Sequence, residues 1–470
     1  MRTRLSSGFL AAGLFLVGLF TGPLAAQSDP TRIHEFAGFE STTQNAFLID
    51  GPGELLYGWI GHAGQSRRSV VWRMNRDGTG FTVLHTFGEL NGDGEDPTGL
   101  ILGSDQMLYG TAGDQQGQGR VFSLAIDGSN YRVIKQFSVA TDQTVLPFGL
   151  MEASNGRLYG ITGTGSPLGA IYGINKDGSA FQILARFQRP TTNGQYPRGQ
   201  LFEGPDGWLY GVTASDRTRF LGTVYRVKPD GTGFETIHNF EGSGQGSLPD
   251  SGLVGLADGF LYGQAAGGGV NNLGGVFKLR PTGEDYQFFP TGTGGAQWYR
   301  SVTQGADGVL YGLQPGGGPT FNGTFFQLRP DGSDYETLFQ FSETAMPPTG
   351  VRPKQLVRGR DGHLYCLAFQ RSPIPIQSLT AFTPILLRFQ HGAAVEPSLV
   401  ASLDSTGPTP ALRVAVTGEP GRTYELQSAG AFPASWQRIK DITTDDQGRG
   451  EFTEAIPASD PSRLFRVTAP

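Results

Sequence analysis

The chain has one cysteine, Cys366, in 470 residues. No intrachain disulfide can form, so the fold must hold by burial alone, which a chain of this length can do. Charge is scarce as well: 17% of residues are Asp, Glu, Lys or Arg, against about 25% in an ordinary globular protein. Basic charge is in deficit, with 36 Lys and Arg against 42 Asp and Glu and a net charge of -6. That balance argues against a nucleic-acid binder, which needs a basic surface. No His-x-x-x-His or Cys-x-x-Cys spacing occurs, and no glycine-rich loop is followed by Lys-Ser or Lys-Thr. The sequence therefore implies no metal and no cofactor.

What the chain has in excess is turn chemistry. Its 72 glycines and 30 prolines make 102 of 470 residues without a Gly-X-Y period, which excludes collagen. Apolar segments are short and rich in β-branched and aromatic residues, so the reading is a folded all-β protein with no helix. Near the start, Arg2 and Arg4 precede a 12-residue apolar run from Phe9 to Phe20, and Leu24-Ala25-Ala26 offers small residues for cleavage. The run is shorter than the roughly 20 residues that span a bilayer. Residues 1–26 read as a secretory signal peptide, which predicts a secreted or cell-envelope protein. The remainder has no transmembrane run.

A period of about fifty residues organises the rest. Leu-Tyr-Gly recurs at Tyr57, Tyr109, Tyr159, Tyr210, Tyr262 and Tyr311, and a seventh copy reads Leu364-Tyr365-Cys366. The intervals are 52, 50, 51, 52, 49 and 54 residues. Each copy has four apolar segments. Asp-Gly or Asn-Gly precedes the tyrosine, as at Asn155-Gly156 and Asp206-Gly207, and a second Asp-Gly follows the third segment, as at Asp127-Gly128. Such pairs accept the positive φ of tight hairpins. The unit is then an antiparallel meander of strands A to D. Adjacent apolar residues such as Leu158-Tyr159 place both faces of strand B between other layers. Radial stacking supplies those layers, which predicts a seven-bladed β-propeller over residues 31–392. Phe36 lies one period before Phe87, so residues 31–37 read as a D strand that completes a last blade lacking its own.

The repeat resembles the choice-of-anchor tandem repeat family called GloVer. Leu201 to Gly231 carries its pattern: Asp206-Gly207-Trp208-Leu209-Tyr210-Gly211, then Gly222-Thr223-Val224-Tyr225-Arg226-Val227, then Asp230-Gly231. The resemblance covers residues 31–390. It implies export and a propeller-like array, and no reaction. The period is close to that of kelch repeats, but the blade-wide tryptophan expected of them is missing. After a linker at 393–410, residues 411–470, with a start that could lie nearer 397, read as a small β-sandwich. Ser428, Trp436 and Leu464-Phe465-Arg466-Val467 resemble sandwich modules at the C-terminus of exported bacterial proteins, some of which direct sorting or surface attachment.

Candidate chemistry is thin. His34, His85 and His238 each stand two residues before a closing Phe, hence on different blades, and cannot meet at one ion. Asn91 to Asp96 is rich in oxygen ligands but lacks the calcium-loop spacing and reads as a solvated loop. Cys366 falls inside a strand and reads as a small buried hydrophobe. Glu152 and Glu203 lie on innermost strands and are the pair to weigh for glycosidic hydrolysis, although each also reads as an isolated charge. The long B–C and D–A loops share one face, where binding residues tend to sit. There the candidates are Trp298, Tyr299 and Arg300, with Tyr196, Arg198, Arg219, Phe220, Phe321 and Asn322. Aromatics beside Arg and Asn suit sugar stacking and hydrogen bonding. Trp298 and Tyr299 read equally as core at the mouth of the ring.

The leading expectation is a non-catalytic exported scaffold that binds or displays a glycan or cell-surface partner. The alternatives are a carbohydrate-active hydrolase or lyase at the channel mouth, and a structural envelope or adhesion component.

Overall fold

The computed structural model describes residues 29–468, apart from 41–44, 64–67, 91, 115–117, 144–145, 164–168, 188–193, 216–220, 292–300, 306, 344–349, 373–380, 390–397, 405–410, 418–422, 430–436, 444, 446–448 and 456–463. Seven antiparallel sheets form a ring. Blade 1 is Ala46–Asp50, Leu55–Ala63, Arg68–Asn75 and Thr82–Thr86, strands A to D in order. Blades 2, 3, 4, 5 and 6 repeat the meander over 96–136, 147–186, 195–239, 247–290 and 301–340. In blade 5 strand A is split, and Ser247–Pro249 and Val254–Gly255 both pair with Leu261–Gly267. Blade 7 takes strands A to C from Val351–Arg358, Leu364–Arg371 and Phe382–Phe389, and its D strand from Thr31–Glu35. The chain's first strand thus latches its last blade, with Arg32 opposite Leu387 and Glu35 opposite Ile385. The A strands of successive blades meet around the axis. Among the described residues helix is confined to one turn, Val139–Asp142, capped by Ser138, and two short 3-10 turns.

Two further three-stranded sheets follow. Ser398–Asp404, Ala411–Thr417 and Arg449–Ala455 form one, and Gln437–Thr443, Thr423–Ala429 and Leu464–Thr468 the other. Ser398–Asp404 falls inside the stretch read from sequence as a linker, and it pairs along its whole length with Ala411–Thr417. No helix among the described residues is long and apolar enough to cross a membrane.

The Leu-Tyr pair of strand B accounts for the ring. Side chains alternate across a strand, so Leu158 enters the core between blades 2 and 3, beside Tyr109 and Phe137, while Tyr159 enters the core between blades 3 and 4, beside Leu201 and Tyr225. Both are fully buried. No blade can cover both faces by itself, and each apolar side chain of this size contributes roughly 1.5–3 kcal/mol when buried.

The glycine after the tyrosine is fixed by its cross-strand partner on strand C. Gly58 faces Trp72, Gly110 Phe122, Gly160 Tyr172, Gly211 Tyr225, Gly263 Phe277 and Gly312 Phe326. A Cβ at any of these glycines would lie inside 3.0 Å of that aromatic ring. Blade 7 makes the compensating exchange: Cys366 replaces the glycine, and its partner is Leu387 in place of an aromatic. The thiol is fully buried, and burial pushes its pKa up.

The turns tie blades to themselves and to each other. The Tyr hydroxyl donates to the Asp four residues earlier in blades 2, 4, 5, 6 and 7, at 2.8, 2.6, 2.6, 2.8 and 2.6 Å. In blade 3 Asn155 donates to Tyr159 at 2.8 Å. At the C–D turn the Asp accepts from the residue two positions on, as Asp127 does from the amide and hydroxyl of Ser129. The following glycine has φ near +90° and lies against the D-strand backbone of the preceding blade. Gly128 meets Leu84, Gly178 meets Ile134 and Gly231 meets Leu184, while Gly78 of blade 1 meets Ile33 of the N-terminal strand. The closing junction therefore repeats the contact made at the other junctions.

Deleting residues 31–37 removes strand D of blade 7 and the seat of Gly78. Thermal melting is expected to show a lowered transition for the whole propeller; an unchanged transition would refute the latch. A second outcome concerns Tyr172 and Tyr225, whose buried hydroxyls have no hydrogen-bond partner among the described residues. An unsatisfied buried hydroxyl costs about 1–3 kcal/mol, and blades 2, 5 and 6 carry Phe at this position. Tyr172→Phe and Tyr225→Phe are expected to leave the melting temperature unchanged or raise it, as measured by calorimetry.

Candidate functional site

Strand A opens on the face that carries the long loops, and its first residues form the rim around the axis. In five blades this segment reads x-Pro, and in four of them the residue before proline has positive φ: Leu146 at 54°, Tyr196 at 59°, Leu248 at 53° and Arg352 at 50°, with Asp96 of blade 2 the exception. A pre-proline residue is ordinarily extended, and a non-glycine residue at positive φ stores strain of order 1–3 kcal/mol. The neighbouring blade holds it there. Leu248 N donates to the Leu221 carbonyl and Arg352 N to the Asn322 carbonyl, each at 2.7 Å. Just beyond, a Cβ at Gly149 would strike the Gly199 carbonyl, and one at Gly199 would strike Gly252 N, so adjacent A strands meet backbone to backbone.

The rim that results carries Leu146, Tyr196 and Leu248 half-buried and Arg352 exposed. Two residues past Arg352, the Lys354 ammonium is pushed down to about 8 by burial, with Arg352 adding repulsion. The recurring x-Pro before a glycine was visible in the sequence; its left-handed backbone was not, because it is imposed by the adjacent blade.

Of the residues singled out from sequence, Tyr196 and Arg198 lie on strand A of blade 4 and are half-buried. Phe321 and Asn322 belong to the B–C loop of blade 6, two blades away, where Phe321 is 66% exposed and Asn322 bonds the rim through its carbonyl. Trp298, Tyr299, Arg300, Arg219 and Phe220 lie outside the described residues.

The two carboxylates weighed for hydrolysis do not face each other across a bond. Glu152, at the end of strand A in blade 3, accepts from the amide and hydroxyl of Ser104 in the A–B turn of blade 2, at 2.8 and 2.7 Å, and pairs with Lys176 at 2.7 Å. Glu203 makes the same pair of bonds to Ser154 one junction further on, at 2.6 and 2.8 Å. Asp50 occupies the equivalent place in blade 1. It contacts Arg360 of the blade 7 turn at 3.4 Å and Arg76 at 2.6 Å. Burial pushes the Asp50 carboxyl up to about 6 against the pull of both guanidinium groups. These acids are staples between blades.

The histidines are likewise spent at junctions. His34 stacks on Phe81, His85 on Tyr131 and His238 on Tyr286, each across to the next blade. Burial lowers all three, His238 to about 4. Asp93, from the stretch read as a solvated loop, contacts His85 at 3.2 Å and accepts from the amides of Gly88 and Leu90. Among the described residues no three His, Cys, Asp or Glu side chains group to hold a metal.

No curated protein matches the chain significantly. Among solved structures it is similar to a puromycin-hydrolyzing peptidase of Mycobacterium tuberculosis, at 13% identity and a TM-score of 0.51, over 84% of this chain and 62% of that one. The chain thus spans less than two thirds of that peptidase. It is also similar to an acylaminoacyl peptidase of Pyrococcus horikoshii (9% identity, TM-score 0.44, 80% of this chain and 58% of that one) and to a protein of unknown function from Dyadobacter fermentans (10%, 0.43, 77% and 99%). Likeness at this identity speaks for the fold alone. Residues 147–372 match the model of the Gloeobacter/Verrucomicrobia repeat. That stretch runs from strand A of blade 3 to the end of strand B in blade 7, so these blades of the ring are built from Gloeobacter/Verrucomicrobia repeats.

Proposed function

We propose that the protein is an exported, non-catalytic β-propeller that binds or displays a partner at the cell surface, with glycans as the ligand class. The observation that carries this reading is the employment of Glu152 and Glu203. Each carboxylate is consumed by two hydrogen bonds to the turn of a neighbouring blade. Glycoside hydrolysis needs two acids flanking one bond, and these two hold different junctions of the scaffold. Binding then falls to the wide-loop face, where exposed Phe321, half-buried Tyr196 and Arg352 stand on a strained rim. Export rests on the Arg2, Arg4 and Phe9 to Phe20 pattern. The two C-terminal sheets fit a sandwich for spacing or retention.

Purified protein lacking residues 1–26 is expected to bind a subset of a glycan array, and Trp298→Ala is expected to lower that binding at least tenfold. Binding at background level, or a Trp298→Ala variant equal to the parent, would remove the glycan assignment. Glu203→Gln tests the non-catalytic part. It weakens a charged hydrogen-bond pair of about 1.5–3 kcal/mol, so the melting temperature falls, while polysaccharide turnover by parent and variant stays at the buffer rate. Turnover by the parent that Glu203→Gln or Glu152→Gln abolishes would overturn it.

A further inference from the structure

At the short-turn end of blade 2 the surface opens into a hollow of about 410 Å3, lined by Met107, Tyr109, Ser123, Asn130, Tyr131 and Arg132. It arises from a departure within the repeat. The strand-C residue paired with the repeat's tyrosine is Arg73 in blade 1, Arg226 in blade 4, Lys278 in blade 5 and Arg388 in blade 7. Blade 3 has Gly173 there, with the Arg157 guanidinium 5.7 Å from the Tyr159 ring, and blade 6 has Gln327, which donates to Glu336 at 3.0 Å. Arg226 lies 4.4 Å from the Trp208 ring and Lys278 lies 4.6 Å from the Phe260 ring. Arg73, Arg226 and Lys278 also donate to a turn carbonyl of the next blade, at 3.2, 3.1 and 2.7 Å. In blade 2 the residue paired with Tyr109 is Ser123, and Met107 stands where Trp208 and Phe260 do. The long cation is missing and its space is open.

The walls indicate what fits. The hydroxyls of Tyr109 and Tyr131 are committed to Asp105 at 2.8 Å and to the Asp93 carbonyl at 2.7 Å, and Tyr131 is stacked on His85, so with Met107 the two tyrosines line the hollow with carbon rather than with free hydroxyls. The side chains of Ser123 and Arg132 make no hydrogen bond to another described residue, and their donors suit a ligand rich in acceptors. Positive charge is not in surplus. Lys176, above the Tyr109 ring, is shared by Asp105 at 3.2 Å and Glu152 at 2.7 Å, and the charge of Arg132 bears on Asp177. A ligand with hydroxyl oxygens and an apolar face answers both conditions, and an anion does not. The volume lies in the roughly 300–1,000 Å3 range of small-ligand pockets.

We propose that this hollow is a binding site for one neutral pyranose ring. The assignment deepens the glycan reading but stands on the face opposite the wide loops, so the two can fail separately. Saturation-transfer NMR with the methyl glycosides of glucose, galactose, mannose, N-acetylglucosamine and glucuronic acid tests it on the parent, Ser123→Arg and Arg132→Gln. Ser123→Arg restores the long cation of blades 1, 4, 5 and 7 and so fills the hollow within a tolerated context. The expected result is transfer to at least one neutral glycoside, weaker transfer to the glucuronide, and at least a tenfold loss in Ser123→Arg and Arg132→Gln. The site is overturned by no transfer to any neutral glycoside, by preference for the glucuronide, or by unchanged transfer in Ser123→Arg; glycan-array binding that persists in that last case leaves the wide-loop reading standing.

Discussion

A strand that is apolar on both faces cannot be covered by the sheet it belongs to. Leu158 and Tyr159 are chain neighbours, yet each is buried against a different blade. The same pair recurs in every unit, so each blade needs a neighbour on either side, and only a closed ring gives all of them two. The N-terminal strand answers the one remaining demand. Without it, blade 7 would end in an open strand C, and Gly78 of blade 1 would lose the backbone that its sister glycines pack against.

The same constraint explains why the repeat tolerates particular changes. The glycine after the tyrosine and the aromatic on strand C occupy one volume between them. A one-sided change at Gly110 or Gly312 would force atoms inside 3.0 Å, whereas the joint exchange to Cys366 and Leu387 keeps that volume filled. Packing at native density allows paired exchanges and resists single ones. The clasp from tyrosine to the turn Asp follows the same logic at lower stakes. Blade 1 has Gly53 at the Asp position, so its Tyr57 hydroxyl has no turn carboxylate to donate to, and the Arg73 charge bears on it instead.

The fold was legible because its signals are local and repeated: the Leu-Tyr-Gly period, the Asp-Gly turns and Phe36 one period before Phe87. What escaped the sequence was set between blades. Nothing in the string Leu146-Pro147 announces a left-handed residue, since such backbone is held by contacts with the neighbouring blade, as Leu248 is by Leu221 and Arg352 by Asn322. Glu152 and Glu203 looked like a pair because both end strand A; in space each belongs with a serine of the previous blade. Residue type revealed the chemistry they were capable of, and only geometry revealed that this capacity is already used. The three histidines make the same point. Their equal offset from a closing Phe correctly separated them, but their stacking on Phe81, Tyr131 and Tyr286 depends on the neighbouring blade.

Function in a scaffold of this kind is best sought where the repeat is broken. A residue present in most blades is tied to the common task of joining them, and its polar groups already have partners inside the ring. Ser123 differs from Arg73, Arg226, Lys278 and Arg388 in size and charge, and the hollow beside it is open, whereas Arg157 lies by the Tyr159 ring where blade 3 has Gly173, and Gln327 of blade 6 bonds Glu336. That contrasts with Cys366, whose departure is matched by Leu387. A compensated departure preserves packing and needs no further cause. An uncompensated one leaves space and unused donors beside two tyrosine rings, which packing alone gives no reason to keep. This distinction, drawn entirely within one chain, separates the blade 2 hollow from the other irregularities of the ring.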